Sequence, residues 1–210
     1  MRTKALLVAA TFAAGLATSM AQNVYSLNVV GYYNITVPAN SFALIANQLN
    51  TTNNTLAALL PSPPDGTQFY KFTGSGWNAY TFDALEGSWQ PDGNVTLNPG
   101  EGGFIKNNTG SSMTITFVGE VLQGSLTNPI PAGYAVRSSM VPQAGTLPSL
   151  AFPAEDGDQV FQFTGSGYNA FTYDGLENAW TPSTPSVAVG EAFFSRKAAA
   201  VNWVRNFTVQ

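Results

Sequence analysis

The chain has 210 residues with 8 Lys+Arg, 12 Asp+Glu, no His and no Cys, and a formal net charge of −4. Without His or Cys there is no imidazole base, thiol nucleophile, usual zinc site or disulfide. The few basic residues are scattered and form no stripe to neutralise phosphates, which argues against nucleic acid as a partner.

Residues 1–21 read MRTKALLVAATFAAGLATSMA. Arg2 and Lys4 precede an apolar run, and Ser19 and Ala21 make a small-residue cleavage site before Gln22, the layout of a secretory signal peptide. The unbroken apolar stretch is shorter than the ~18–20 residues that span a bilayer. The expected location is therefore periplasmic, cell-surface or extracellular, with no membrane span in the mature chain. Loss of Arg2 and Lys4 leaves six of the 8 basic residues against all 12 acidic ones.

From Tyr25 to Val37, apolar residues occupy alternate positions, the period-two signature of a half-buried strand, and Gly31 is expected to mark a bulge or bend in it. SFALIAN, from Ser41, reads as a second strand. Thr55 is placed to cap a short helix with Leu56, Leu59 and Leu60 on one face, ended by Pro61 and PPDG. TQFYKFTGSGWNAYTFD is a hairpin whose glycines supply the positive φ of a tight turn. On its arms Tyr70 and Phe72 share one face, and Tyr80 and Phe82 share another that should be core. GGFIKN follows an NPGEG turn, and SSMTITFVGEV closes the unit.

The chain then repeats itself. FTGSGWNAYTFDALEGSW from Phe72 returns as FTGSGYNAFTYDGLENAW from Phe163. VPANSFALIANQL from Val37 answers IPAGYAVRSSMV from Ile130, and TLAALLPSPPDG from Thr55 answers TLPSLAFPAEDG from Thr146. NPGEGGFI from Asn98 answers AVGEAFFS from Ala188. The expected fold is all-β: two tandem, internally duplicated modules over 22–121 and 122–210, each a sandwich or partly open barrel with one short helix. An approximate two-fold should relate them.

Two residue sets carry possible chemistry. The first is the carboxylates Asp83 and Glu86, matched by Asp174 and Glu177, at a strand-to-loop junction. A glycoside hydrolase needs two carboxylates flanking a bond, but Asp and Glu in such turns commonly accept hydrogen bonds from their own backbone. A Ca²⁺ site would draw on similar ligands, yet no Asp-rich loop has the required spacing. The second is the rings Trp77, Trp89, Tyr168 and Trp180, which sit beside glycine turns or before prolines. Flat rings near amides and carboxylates hold sugars by stacking, and they equally cover the ends of sheets or pack between modules. No phosphate-binding loop is present, and neither a metal nor a cofactor is expected.

At G-W-N, W-x-P, P-G-E-G-G-F and the closing T-I-T-F, the sequence resembles tandem secreted β-modules of Gram-negative bacterial surface and exported proteins. The resemblance spans nearly all of the mature chain, twice. It implies a fold and an exported location, with no established activity to carry over.

The expected function is a non-enzymatic structural or adhesive protein of the cell envelope or exterior. Its expected partners are copies of itself or a cell-surface polysaccharide. Alternatives are a carbohydrate-binding module pair using the four rings, and a carboxylate-dependent hydrolase.

Overall fold

The computed structural model describes residues 29–209. The expected leader and the start of the first expected strand lie outside the described residues. Strand β1 (Val30–Val37) buries Tyr33 and Val37 and exposes Tyr32, as its alternation requires. It pairs antiparallel with β7 (Met113–Glu120) in unbroken register, Val30 opposite Glu120 and Val37 opposite Met113. Gly31 is therefore not a bulge. It lies opposite Gly119, where an added methyl would stand 2.6 Å from the Asn50 carbonyl oxygen. One on Gly31 would stand 3.0 Å from Val121 Cγ2, so the pair admits packing chain.

The ribbon β1·β7 covers one face of a five-stranded antiparallel sheet. That sheet comprises β2 (Phe42–Ala46), β3 (Gln68–Phe72), β4 (Trp77–Asp83), β5 (Ser88–Gln90) and β6 (Gly102–Lys106), in the order β2-β6-β3-β4-β5. The sheet is open, with β2 and β5 at its edges. Its inner face carries Ile45, Phe69, Phe82, Trp89 and Ile105, which meet Tyr33, Ile115 and Phe117 of the ribbon. Helix α1 (Leu56–Leu59) closes one end. The Thr55 hydroxyl accepts the Ala58 N–H at 3.3 Å, and Leu56 and Leu59 point into the core.

The second unit follows at once. Its strands are β8 (Gly124–Ile130), β9 (Gly133–Arg137), β10 (Gly145–Thr146), β11 (Gln159–Phe163), β12 (Tyr168–Asp174), β13 (Ala179–Thr181), β14 (Ser186–Val187), β15 (Phe193–Lys197) and β16 (Val201–Phe207). Five of them form a sheet ordered β9-β15-β11-β12-β13, and β8 pairs with β16 in a ribbon. Strand for strand, this is the order of the first sheet. Tyr80 and Phe82, with Phe171 and Tyr173, pack into the two cores as expected.

One element differs. Where α1 stands in the first unit, the second has a single turn over 147–151, with the Leu150 N–H bonded to the Thr146 carbonyl at 3.0 Å. Pro148 sits in the first turn, where a missing N–H costs no helical bond, and the turn ends at Ala151, which adopts φ 57°.

The two cores also satisfy the same buried position differently. In the second, Lys197 and Asp158 form an ion pair with side chains 1% and 3% exposed, and the Lys197 ammonium lies 4.8 Å from the Phe152 ring centre. Corresponding positions in the first unit hold neutral Asn107 and Thr67, both fully buried. Asn107 Nδ2 bonds the carbonyls of Val37, Pro38 and Ser111, and the Thr67 hydroxyl that of Pro64. Lys197→Met strands a buried carboxylate and should cost about 3–5 kcal/mol in urea unfolding. The double variant Lys197→Asn with Asp158→Thr copies the first unit and should recover most of that loss. A single and a double variant of equal stability would contradict this account of the pair.

Candidate functional site

The outer face of each sheet is aromatic, because β3 and β11 each turn two large rings outward while burying an apolar residue on the inner side. Phe69 faces inward while Tyr70 and Phe72 face outward, and Val160 faces inward while Phe161 and Phe163 face outward. Cross-strand partners on the same outer faces add Trp77 and Phe104 in one sheet and Tyr168 and Phe194 in the other. Five of these rings meet between the sheets. Phe72 approaches Phe194 at 5.4 Å, Phe104 approaches Phe163 at 4.8 Å, and Trp77 approaches Phe194 at 5.8 Å, mostly edge to face.

At the centre of this contact the backbones nearly touch. A methyl at Gly102 would stand 2.5 Å from Ala192 Cβ and 2.6 Å from the Ile45 carbonyl oxygen. The surrounding hydrogen bonds are reciprocal. Ala46 N–H donates to the Gly190 carbonyl at 2.8 Å, and Ser138 N–H donates to the Gly100 carbonyl at 2.9 Å. Ile45 bridges Glu191, and Arg137 bridges Glu101. Paired contacts of this kind are what an approximate two-fold axis generates. They cover the otherwise open edges β2 and β9 with the partner unit's turn. Gly100 and Gly190 make those turns at φ 88° and 77°.

Buried polar side chains bind the units further. The Gln48 amide donates to Ser138 Oγ at 3.0 Å and accepts the Gly190 N–H at 2.8 Å. Ser138 Oγ donates to the Glu191 carbonyl at 2.7 Å. The Tyr33 hydroxyl donates to the Ala46 carbonyl at 2.7 Å and accepts the Gln48 N–H at 3.0 Å. Burial pushes the Tyr33 phenol well above its ordinary range, partly offset by that Gln48 bond.

Where the aromatic faces diverge, a cleft opens. Phe72, Tyr134, Phe161, Tyr168 and Phe194 line an apolar groove of about 300 Å³. Phe72 and Tyr134 are shared with an adjoining polar cleft of about 330 Å³ that reaches Lys71, Glu101 and Arg137. Lys71 Nζ pairs with Glu101 at 2.9 Å and donates to the Thr96 carbonyl at 2.6 Å. Arg137 donates to the carbonyls of Pro129 and Val136, each at 2.9 Å. Burial lowers its pKa, and the nearby Glu101 carboxylate opposes that shift.

The four rings singled out in the sequence do not share a surface. Trp89 and Trp180 are 3% and 6% exposed inside separate cores, and the Trp89 indole N–H donates to the Leu60 carbonyl at 2.9 Å. Trp77 and Tyr168 are 39% and 48% exposed at the junction of the sheets. Tyr134, Phe161, Phe194 and Phe72, which complete the groove, were not among the candidate residues. Strands with large apolar residues on both faces, FYKF and VFQF, carry the signal that would have found them.

The carboxylates serve their turns. Asp83 Oδ1 accepts the N–H groups of Leu85 and Glu86 at 2.8 and 3.2 Å, and Asp174 accepts those of Leu176 and Glu177 at 2.8 and 3.1 Å. Asp65 and Asp156 each accept one N–H from the same hairpins. Glu86 holds the Gln90 amide at 2.6 Å. The structure thus brings Asp83 with Glu86 and Asp174 with Glu177, each pair in its own unit. Among the described residues, no three carboxylates gather into a group able to hold a metal ion. No described helix is long and apolar enough to cross a membrane.

A comparison with known protein families, curated proteins and solved structures finds no match to this chain.

One interface carboxyl is shifted by its surroundings. Burial raises the Glu191 carboxyl above its usual value of 4.5, against opposing bonds from the Ala188 N–H and the Gln162 amide. A folded-state pKa above the unfolded one adds stability below pH 4.5, and that contribution is lost as pH rises through the raised value. Melting curves from pH 4 to 7 (on the order of the carboxylate range) should show Glu191→Gln gaining on the parent protein as pH rises. Parallel curves would contradict the assignment.

Proposed function

We propose that this is an exported, non-enzymatic adhesive protein that holds polysaccharide in the cleft between its two sheets. The observation that carries this is the groove of Phe72, Tyr134, Phe161, Tyr168 and Phe194, which runs on into a cleft lined by Lys71, Glu101 and Arg137. Sugar rings present flat apolar faces edged by hydroxyls. Rings that remain half exposed beside charged groups suit both features at once. Tyr134 and Tyr168 are 44% and 48% exposed and so can be contacted without opening the core.

Export is supported by the leader-like N-terminus and by a surface whose polarity comes from neutral side chains. Engagement of the Asp83 and Asp174 carboxylates in turn bonds, and of Glu86 with the Gln90 amide, favours binding over hydrolysis. The likeness to secreted tandem β-modules points the same way.

Tyr134→Ala and Tyr168→Ala should each weaken retention on an immobilised polysaccharide series by roughly three- to tenfold, the scale of one aromatic contact. Their melting temperatures should stay near that of the parent. Trp89→Ala removes a core ring and should destabilise by about 3–5 kcal/mol, so it reports stability and not binding. Retention unchanged in both tyrosine variants, or no retention of the parent protein on any polysaccharide, would reject the proposal.

A further inference from the structure

Resting on the polysaccharide role proposed above, we infer that the molecule carries two equivalent ring-and-cation platforms for an anionic polysaccharide, one on each sheet, and so bridges two glycan strands. The inference starts from cross-strand register. On the outer face of the second sheet, Tyr134 of β9 lies opposite Arg196 of β15, which lies opposite Gln159 of β11. On the first, Phe42 of β2 lies opposite Lys106 of β6, which lies opposite Gln68 of β3. Ring, cation and amide thus stand in the same row twice.

The geometry repeats as well. Arg196 lies 6.0 Å from the Tyr134 ring centre, and Lys106 lies 5.1 Å from that of Phe42. The next ring inward is Phe161, at 6.1 Å from Tyr134, and Tyr70, at 6.0 Å from Phe42. Behind them stand Phe194 with Tyr168 at 5.8 Å, and Phe104 with Trp77 at 5.2 Å. Phe42 and Tyr134 are 37% and 44% exposed.

The sign of the ligand follows from where charge is left unpaired. After the leader the chain has six basic residues. Lys197 is buried against Asp158, Lys71 is paired with Glu101, and Arg205 bonds Ser139 and Gln143. Arg137 is spent on two carbonyls. Lys106 and Arg196 have no salt bridge among the described residues, Arg196 bonding only the exposed Gln159 amide oxygen at 3.3 Å, and they occupy matching places over exposed rings. On the same faces the carboxylates Asp83 and Asp174 lie on β4 and β12 and accept N–H bonds within their own turns. An apolar platform with an unpaired cation at its rim fits a sugar whose ring stacks and whose carboxylate or sulfate meets the cation.

Titration calorimetry with tetragalacturonate, using cellotetraose as the neutral control, tests this on the intact mature chain. The acidic tetramer should bind at about two sites per chain and lose affinity with added salt. Lys106→Gln and Arg196→Gln should each weaken one site about tenfold, and the double variant both. Lys106→Arg and Arg196→Lys should keep both sites, and unchanged melting confirms folding. Long polygalacturonate should be cross-linked into scattering particles by the parent protein and by neither single glutamine variant. A single site per chain, or glutamine variants that bind as the parent does, would overturn the inference. Cellotetraose binding that depends on Tyr134 but ignores both cations would overturn it while leaving the polysaccharide role standing. Failure of both tetramers to bind would remove the two together.

Discussion

The close approach of Gly102 to Ala192 is the constraint on which the rest of the structure depends. Any larger pair would hold the two sheets apart by the thickness of a side chain, and the bonds from Ala46 to Gly190 and from Ser138 to Gly100 would be lost. Because the backbones meet there, each unit's turn covers the other's exposed edge strand, and five aromatic rings from the outer faces interlock. Each edge-to-face pair contributes about 0.5–1.5 kcal/mol beyond the area it buries, so the cluster is a substantial part of what makes the units one body.

The same constraint creates the cleft. Twisted sheets that touch closely at one point must diverge away from it. The rings nearest the contact pack, while those further out, Phe42, Tyr70, Tyr134 and Phe161, keep one side free. Around this shared frame the two units have kept different chemistry. Lys71 and Arg137 stand where the matching positions hold Gln162 and Ile45, and a buried ion pair in one core stands where an amide and a hydroxyl serve the other. Both sets satisfy every buried side-chain polar atom, with none left unpaired among the described residues.

What was legible in the sequence was local. Period-two alternation placed β1, the apolar run FALIA placed β2, turn glycines placed the hairpins, and the aspartates of D-A-L-E and D-G-L-E served the turns that such residues favour. Pairing across the chain was not legible. Trp89 and Trp180 look like Trp77 and Tyr168 in sequence, but register sets Trp89 opposite Phe82 and Trp180 opposite Tyr173, on inward faces. Gly31 read as a bulge because the reason for a glycine there, the approach of Val121, comes from a segment 90 residues away. The helix expected after Thr146 gave way to one turn that ends at Ala151 in the left-handed region. The groove rings escaped notice for a related reason. A strand with aromatics on both faces has no wet side, which implies a second packed layer without saying which layer it is.

Amide hydrogen exchange under native conditions tests the central claim most directly. The Ala46 and Ser138 N–H groups donate only across the junction of the two units. If that junction is part of one cooperative body, both should exchange as slowly as the core amides of Ile105 and Phe193, through global unfolding. Exchange orders of magnitude faster at Ala46 and Ser138, with the cores still protected, would show two bodies that merely lean together.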